Sequence, residues 1–450
     1  MFRLILNNKF YSALVIFLFA LIFRIVLINT YQVNMIAPDG TGYHTLGVNL
    51  ANGNGMSMNR EKPFEKYYFR ELLYPAFLGA CYKVYDCFWG KSNYLTSYNG
   101  RTYDSSEHPE IIFAKYMQAI VDSLSVVVFY LILLLVFKPS FAFIVSFLFG
   151  FYYPVAIHST YLLRETIQLF ITLCMAYSFA QFLLKKKWTW LIIFSGFWGL
   201  SNLTFQITVV VPFFMFIFLW QNLKNIFKSL LPVAASTMIM LIFISPWLIH
   251  IYRFYPDIRI LKTFGCSFTY EMISYQNAVG NLERNQKISK QEANSLMEWG
   301  KPAYEQFRKS FDGTYLNYVR SVNKLKLKKA DFNIFKVVLR NFYKSWFNTK
   351  LAFMGTKEFL KKNLMVNSVL VGIPIIIGIL AFLGLFIFYR KIYPIMLTFT
   401  TFISLFYFIG SEYRRMLPAT PFIYLFGCMG FYYLYVRFVL KSNNYYSILK

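Results

Sequence analysis

The sequence predicts an all-α polytopic membrane protein, a bundle of about ten transmembrane helices with a helical extracytoplasmic portion. Three observations carry this. Of 450 residues, 57% are hydrophobic and only 15% charged, against about a quarter charged in a soluble globular chain. Mean hydropathy is +0.45. Apolar runs of about 20 residues recur, each long enough to cross a roughly 30 Å hydrocarbon core. The runs are continuous rather than alternating, which excludes a β-barrel. A soluble enzyme and a disordered chain are excluded by the same apolar content. The net charge of +26 comes with no soluble basic domain or nucleic-acid motif, so no nucleic-acid partner is expected.

Charge and turn residues bracket the spans at 11–30, 112–137, 141–158, 163–184, 188–203, 207–222, 229–249, 364–388, 392–409 and 417–436. The stretch 188–222 reads as one long tilted helix or as two short ones joined at Leu203-Thr204-Phe205-Gln206. The lysines decide for two. Lys185, Lys186 and Lys187 precede it, and Lys224 and Lys228 follow it. Both clusters want the cytoplasm by the positive-inside rule, and only an even number of passes places them there. The short loops on that side also carry Arg3, Lys9, Lys138, Arg390, Lys391, Arg437, Lys441 and Lys450, with no Asp or Glu. Both termini fall on this side, and the first span reads as an uncleaved anchor.

The same topology places the chemistry. All twenty carboxylates, and His44, His108, His158 and His250, fall in outer loops or near the outer ends of spans. Acid–base chemistry is therefore expected outside the cytoplasm. The richness in Lys, Asn, Ile, Phe and Tyr fits an AT-rich bacterial genome, hence a multi-pass protein of the bacterial cytoplasmic (inner) membrane.

Two outer segments are too long to be connectors, 31–111 and 250–361. They suggest an N-terminal transmembrane catalytic module (1–249), a large basic extracytoplasmic segment (250–361), and C-terminal helices with a cytoplasmic tail (362–450). From 250 to 360 there are nineteen Lys and Arg against nine Asp and Glu. This excess reads as attraction to anionic lipid or as a dock for a phosphate-bearing or acidic glycan. Cys81, Cys87, Cys174, Cys266 and Cys428 show no metal-ligand spacing. Cys81 and Cys87 share an outer loop, where free thiols are expected over a disulfide. Asp122 and Arg24 are charged groups inside apolar spans, which are rare and usually paired, so a pair between them is expected.

The chemistry-bearing residues follow the first span. Ala37-Pro38-Asp39-Gly40-Thr41-Gly42-Tyr43-His44 comes first, then Leu50-Ala51-Asn52-Gly53-Asn54-Gly55-Met56-Ser57, then Phe69-Arg70-Glu71-Leu72-Leu73-Tyr74-Pro75-Ala76-Phe77-Leu78. Pro38 and Gly40 read as helix stops, which puts Asp39 where span becomes outer loop. A carboxylate there meets a lipid-borne substrate without crossing the bilayer. Its ordinary reading is a helix-terminating Asp with local hydrogen bonds. Later come Leu162-Leu163-Arg164-Glu165, Ser245-Pro246-Trp247-Leu248-Ile249-His250, and Glu412-Tyr413-Arg414-Arg415-Met416-Leu417-Pro418-Ala419-Thr420-Pro421.

This ordered set resembles the bacterial GT-C glycosyltransferases, related to the protein O-mannosyltransferases and the lipid A aminoarabinose transferase. The resemblance spans roughly residues 10–440. His250 replaces the usual Arg of the Pro-Trp signature, and Tyr413-Arg414-Arg415-Met416 departs from the late Arg-Tyr-x-x-Pro-x-x-Pro signature. The resemblance implies a GT-C-like bundle and a sugar donor on a polyprenyl phosphate or diphosphate. It implies a lipid, glycan or protein acceptor outside the cytoplasm, and inversion at the anomeric carbon. Asp39 is implied as general base. Glu165 is implied as a second acid that orients the acceptor or Asp39 or helps hold a metal; its plain alternative is an ion pair with an arginine. Arg70, Arg164, Arg414 and Arg415 are candidates for the donor phosphate, or else structural or lipid-headgroup contacts. Tyr43 and His44 are candidates to line the sugar site, His44 being equally readable as a plain loop histidine. No cofactor is required by the pattern, although a divalent cation fits two acidic positions. The competing readings are an O-antigen ligase or polymerase, which leans on Arg and His, and a non-enzymatic flippase of lipid-linked glycans, which would line its path with polar groups through the membrane depth.

Overall fold

The computed structural model of the chain describes residues 8–30, 38–59, 61–64, 66, 70–91, 108–204, 211–254, 283, 289–298, 364–388 and 417–449. The expected span 392–409, most of the 250–361 segment, Cys266, Glu412, Arg414 and Arg415 lie outside the described residues, as does the side chain of Asp39. The chain divides into two compact units. One comprises Met1–Lys66, Leu72–Phe243 and Leu339–Lys450, the other Tyr67–Glu71 and Ile244–Val338. Of the second unit the described parts are 70–71, 244–254, 283 and the helical stretch near 290–298.

The architecture is all-α, and the described residues contain no strand, only isolated bridges. In chain order the helices are α1 (Lys9–Thr30), α2 (Pro38–Ala51), α3 (Leu73–Trp89), α4 (Pro109–Leu133), α5 (Pro139–Gly150), α6 (Tyr153–Ala156), α7 (Glu165–Lys185), α8 (Trp188–Thr204), α9 (Val211–Leu223), α10 (Ile226–Phe254), α11 (Leu364–Phe388) and α12 (Thr420–Leu434). Among the described residues, five helices are long and apolar enough to cross a membrane, or six if α5 and α6 with its following turn form one bent span. The protein is a multi-pass membrane protein. Within 188–222 the described residues form two helical stretches, α8 and α9, and the junction between them, 205–210, lies outside the described residues.

Helix α1 illustrates how the sequence sorts faces. Its buried residues are Ser12, Ile16, Ala20, Arg24, Leu27 and Ile28, an i, i+4 stripe on one side of a 3.6-residue helix. Phe10, Leu14, Leu18, Ile22 and Val26 are exposed, as suits a face turned to lipid. Arg24 lies on the buried stripe and its Nε donates to Asp122 Oδ2 at 2.5 Å. The ion pair expected from sequence is therefore formed. Arg24 Nη1 also donates to the carbonyls of Ala20 and Gly150, at 3.1 and 3.0 Å.

Gly150 ends α5, and α5 and the following helical piece bend by 53°. Pro154 explains the break: it lacks an N–H and clashes with a continuing helix. A short 3₁₀ turn, Ile157–Thr160, then leads into α7. Helix α7 is buried along most of its length and packs on α4 and α8. At the far end of α4, the tail closes back on the bundle. Phe137 bridges to Leu449, Lys138 N–H donates to the Ile448 carbonyl at 2.9 Å, and Tyr446 reaches the Ile387 carbonyl at 3.3 Å. Helices α11 and α12 meet backbone to backbone. A Cβ on Gly384 would run into the Phe426 carbonyl, and one on Gly430 into that of Leu380; small residues are what permit such crossings.

The segment after α1 departs from expectation. Pro38 does not stop a helix; it opens α2, which contains Asp39, Gly40, Gly42, Tyr43 and His44. Proline suits this place because the first helical N–H has no intrahelical partner and φ is already near −65°. Helix α2 packs on α3 at a crossing of two glycines. A Cβ on Gly47 would lie 2.8 Å from Leu78 Cβ and 3.3 Å from the Gly79 nitrogen, and one on Gly79 would lie 3.0 Å from the Gly47 carbonyl oxygen. Gly47→Ala is therefore expected to lower unfolding free energy by about 1–3 kcal/mol, the usual cost of overpacking. Gly196→Ala on α8, where an added Cβ meets nothing within 4 Å, is the control and is expected to be neutral or stabilising. Denaturant titration of the two variants in detergent checks this; equal stability of both would remove the crossing as a constraint.

Candidate active site

The site is built where α2, α3, α4 and the start of α7 come together. Asp39 is the second residue of α2, and Tyr43 and His44 lie one turn further on. Tyr43 is buried and meets the Tyr74 ring edge-on at 4.9 Å. His44 is not a loop histidine. It is buried on α2, with Nδ1 2.8 Å from the Tyr82 hydroxyl on α3.

The glycines of the second motif close α2. Gly53 and Gly55 have φ of 77° and 78°, a region open to glycine because it has no Cβ. Gly53 N–H bonds the Leu50 carbonyl, and Asn54 N–H the Asn49 carbonyl. Asn49 then fixes the returning chain, its Nδ2 donating to the carbonyls of Ser57 at 2.7 Å and Asn59 at 2.9 Å. The sequence reading passed over Asn49. Its only signal was an amide inside an otherwise apolar helix end.

Tyr74 enters from α3, fully buried. Its hydroxyl donates to Gln118 Oε1 on α4 at 2.8 Å. Burial pushes the Tyr74 hydroxyl well above its usual range, and neighbouring Tyr43 and Glu165 push it further. Tyr74 stays a neutral donor. Gln118 Nε2 donates to the Tyr161 carbonyl at 2.8 Å and to the His158 carbonyl at 3.2 Å. Gln118 was also missed from sequence, as one polar residue in a long span.

Glu165 is the first residue of α7 and is buried. That position sets its carboxylate at the favourable end of the helix dipole. Arg164 turns the other way, Nη1 donating to the Thr204 carbonyl at the end of α8, 3.3 Å away. Further along α7, Gln168 Nε2 donates to Ser201 Oγ at 2.7 Å. Arg70 is half-buried and belongs, with buried Glu71, to the second unit. The structure thus gathers Tyr43, His44 and Glu165 around the α2–α3–α4–α7 junction, while Arg164 reaches toward α8.

Two chemical limits apply. Among the described residues, no three His, Cys, Asp or Glu side chains form a group that could hold a metal ion. Cys81, Cys87, Cys174 and Cys428 are free thiols, as expected for the first two. Burial pushes the Cys81 thiol up to about 12, so it is no nucleophile at neutral pH.

Residues 56–262 match the family model of dolichyl-phosphate-mannose-protein mannosyltransferase. That stretch contains Tyr74, Gln118, Arg164 and Glu165; it begins after Asp39, Tyr43 and His44 and ends before Arg414. The fold is similar to a solved archaeal oligosaccharyltransferase, AglB from Archaeoglobus fulgidus, in complex with an inhibitory peptide and a dolichol-phosphate. The TM-score is 0.52 at 13% identity, over 97% of this chain and 52% of that one. The family match covers just under half of the chain, and the likeness to the archaeal enzyme is one of fold. The chain spans about half the length of this archaeal structural neighbour. No curated protein matches its sequence.

Proposed function

We propose that this protein is a GT-C glycosyltransferase that transfers a sugar from a polyprenyl-phosphate (or diphosphate) donor to an extracytoplasmic acceptor on lipid, glycan or protein, with inversion. The observation that carries this is the match of residues 56–262 to the dolichyl-phosphate-mannose-protein mannosyltransferase family. The acceptor hydroxyl oxygen bonds to the anomeric carbon as its proton passes to the Asp39 carboxylate. The bond from that carbon to the phosphate oxygen breaks, and the polyprenyl phosphate leaves. Glu165 orients the acceptor. Arg70, Arg164, Arg414 and Arg415 are the cations proposed for the departing phosphate, since guanidinium is always charged and binds phosphate in bidentate fashion. Catalysis belongs to 1–249, with 250–361 and 362–450 completing the outer and inner sides. The setting is the bacterial cytoplasmic membrane with the site facing outward.

Purified protein, a panel of radiolabelled polyprenyl-phosphate sugars and a membrane extract as acceptor source test this. Label should move into an extractable product. Loss of transfer with chelator would add a divalent cation to the site; transfer unchanged would exclude that need. Donor binding without transfer across the panel would overturn the reading in favour of a flippase.

A further inference from the structure

Gln118 deserves a role because of what its one amide joins. A glutamine side chain offers one acceptor oxygen and two N–H donors. Here all three are committed, the oxygen to α3 and both N–H groups to the turn before α7. The oxygen accepts from Tyr74 on α3 at 2.8 Å. The two N–H groups go to the carbonyls of His158, within the 3₁₀ turn, and Tyr161, just after it. The nitrogen also lies 3.4 Å from Thr166 Oγ1, beside Glu165. Gln118 itself has no exposed surface. The turn's other bonds are local, Ser159 Oγ to the Ala156 carbonyl and Thr160 Oγ1 to the Ile157 carbonyl at 2.7 Å, and Tyr161 N–H to the His158 carbonyl at 3.3 Å, whereas Gln118 ties it to α4. Three residues separate Tyr161 from Glu165, too few to absorb a shift of the turn.

We propose that Gln118 is the positioning residue of the site: it locks the His158–Tyr161 turn that delivers Glu165, in register with the Tyr43–Tyr74 pair next to Asp39's helix. The proposal rests on the glycosyltransferase reading of Glu165. It adds that α4 takes part in aligning the first outer segment with α7. Misplacing a reacting group by about 1 Å costs roughly 10²-fold in rate, so loosening this joint falls on turnover.

The test uses the full-length protein in detergent and two variants. Gln118→Met keeps the volume and removes all three hydrogen bonds. Gln118→Glu keeps the shape and the acceptor for Tyr74 but removes at least one donor to the turn. Both are expected to lower kcat by about 10- to 10²-fold with KM for the donor within twofold of wild type. Amide hydrogen exchange over 158–166 should rise in both, while exchange in α8 and α12 stays unchanged. Wild-type kcat in either folded variant overturns the proposal. So does a fall in activity matched by the fall in folded protein, or a rise in exchange spread over the whole bundle. If wild type itself transfers no sugar, the functional reading fails separately, and the exchange pattern alone decides whether Gln118 locks the turn.

Discussion

Asp39→Asn is expected to reduce sugar transfer by about 10²- to 10⁴-fold, the range a positioned general base contributes. The amide has the size and polarity of the carboxylate, so helix α2 and its packing on α3 should be kept. What it lacks is the lone-pair basicity to take the acceptor proton. Asp39 occupies the second position of α2, in the first turn, where backbone N–H groups are not used within the helix. A carboxylate suits that turn electrostatically, so some loss of stability accompanies the loss of rate, of order 0.3–1 kcal/mol. Single-turnover transfer from labelled donor, normalised to folded protein, separates the two. Turnover near that of wild type would remove Asp39 as base and shift weight to a ligase-like chemistry built on Arg and His.

The second large effect concerns stability. Asp122→Ala is expected to cost about 3–5 kcal/mol, because it leaves the Arg24 guanidinium buried without its counter-charge. Arg24 and Asp122 are fully buried and joined at 2.5 Å. Arg24 Nη2 and Asp122 Oδ1 find no partner among the described residues, so the pair is only partly satisfied. The double substitution Arg24→Met with Asp122→Leu removes both charges together. It should recover most of the loss, since apolar replacement of a buried pair is often neutral or stabilising. Unfolding by denaturing detergent, followed by helicity, measures the cycle. A double variant as unstable as Asp122→Ala would show that the charges do more than neutralise each other.

This pair also marks how far sequence alone reached. Two ionisable residues in otherwise apolar spans are conspicuous, and lipid offers them no partner but each other. Apolar runs and lysine clusters likewise fixed α1, α4, α7, α8 and α9, because the bilayer imposes length and charge rules on each span separately. The rules weaken outside the spans. Pro38 was read as a stop because proline ends many helices, yet the same missing N–H makes it a start. Gly47 and Gly79 gave no local sign of their crossing, since helix approach is a property of two elements. Asn49 and Gln118 carried only the weak sign of an amide in apolar surroundings. A single amide within an apolar stretch has many partners open to it, and only the fold selects Ser57, Tyr74 and Tyr161. The Glu165 position was legible through its motif, but its neighbours were not.

The bond from Arg24 to the Gly150 carbonyl reaches beyond stability. Gly150 is where the α5–α6 span bends by 53°, and a broken helix leaves carbonyls without internal donors. One of these is met from α1. One side chain therefore ties α1 at once to α4, through Asp122, and to the bend at Gly150. The bend leads through the 3₁₀ turn to Glu165, so a change at Arg24 would be felt along the path that sets the start of α7.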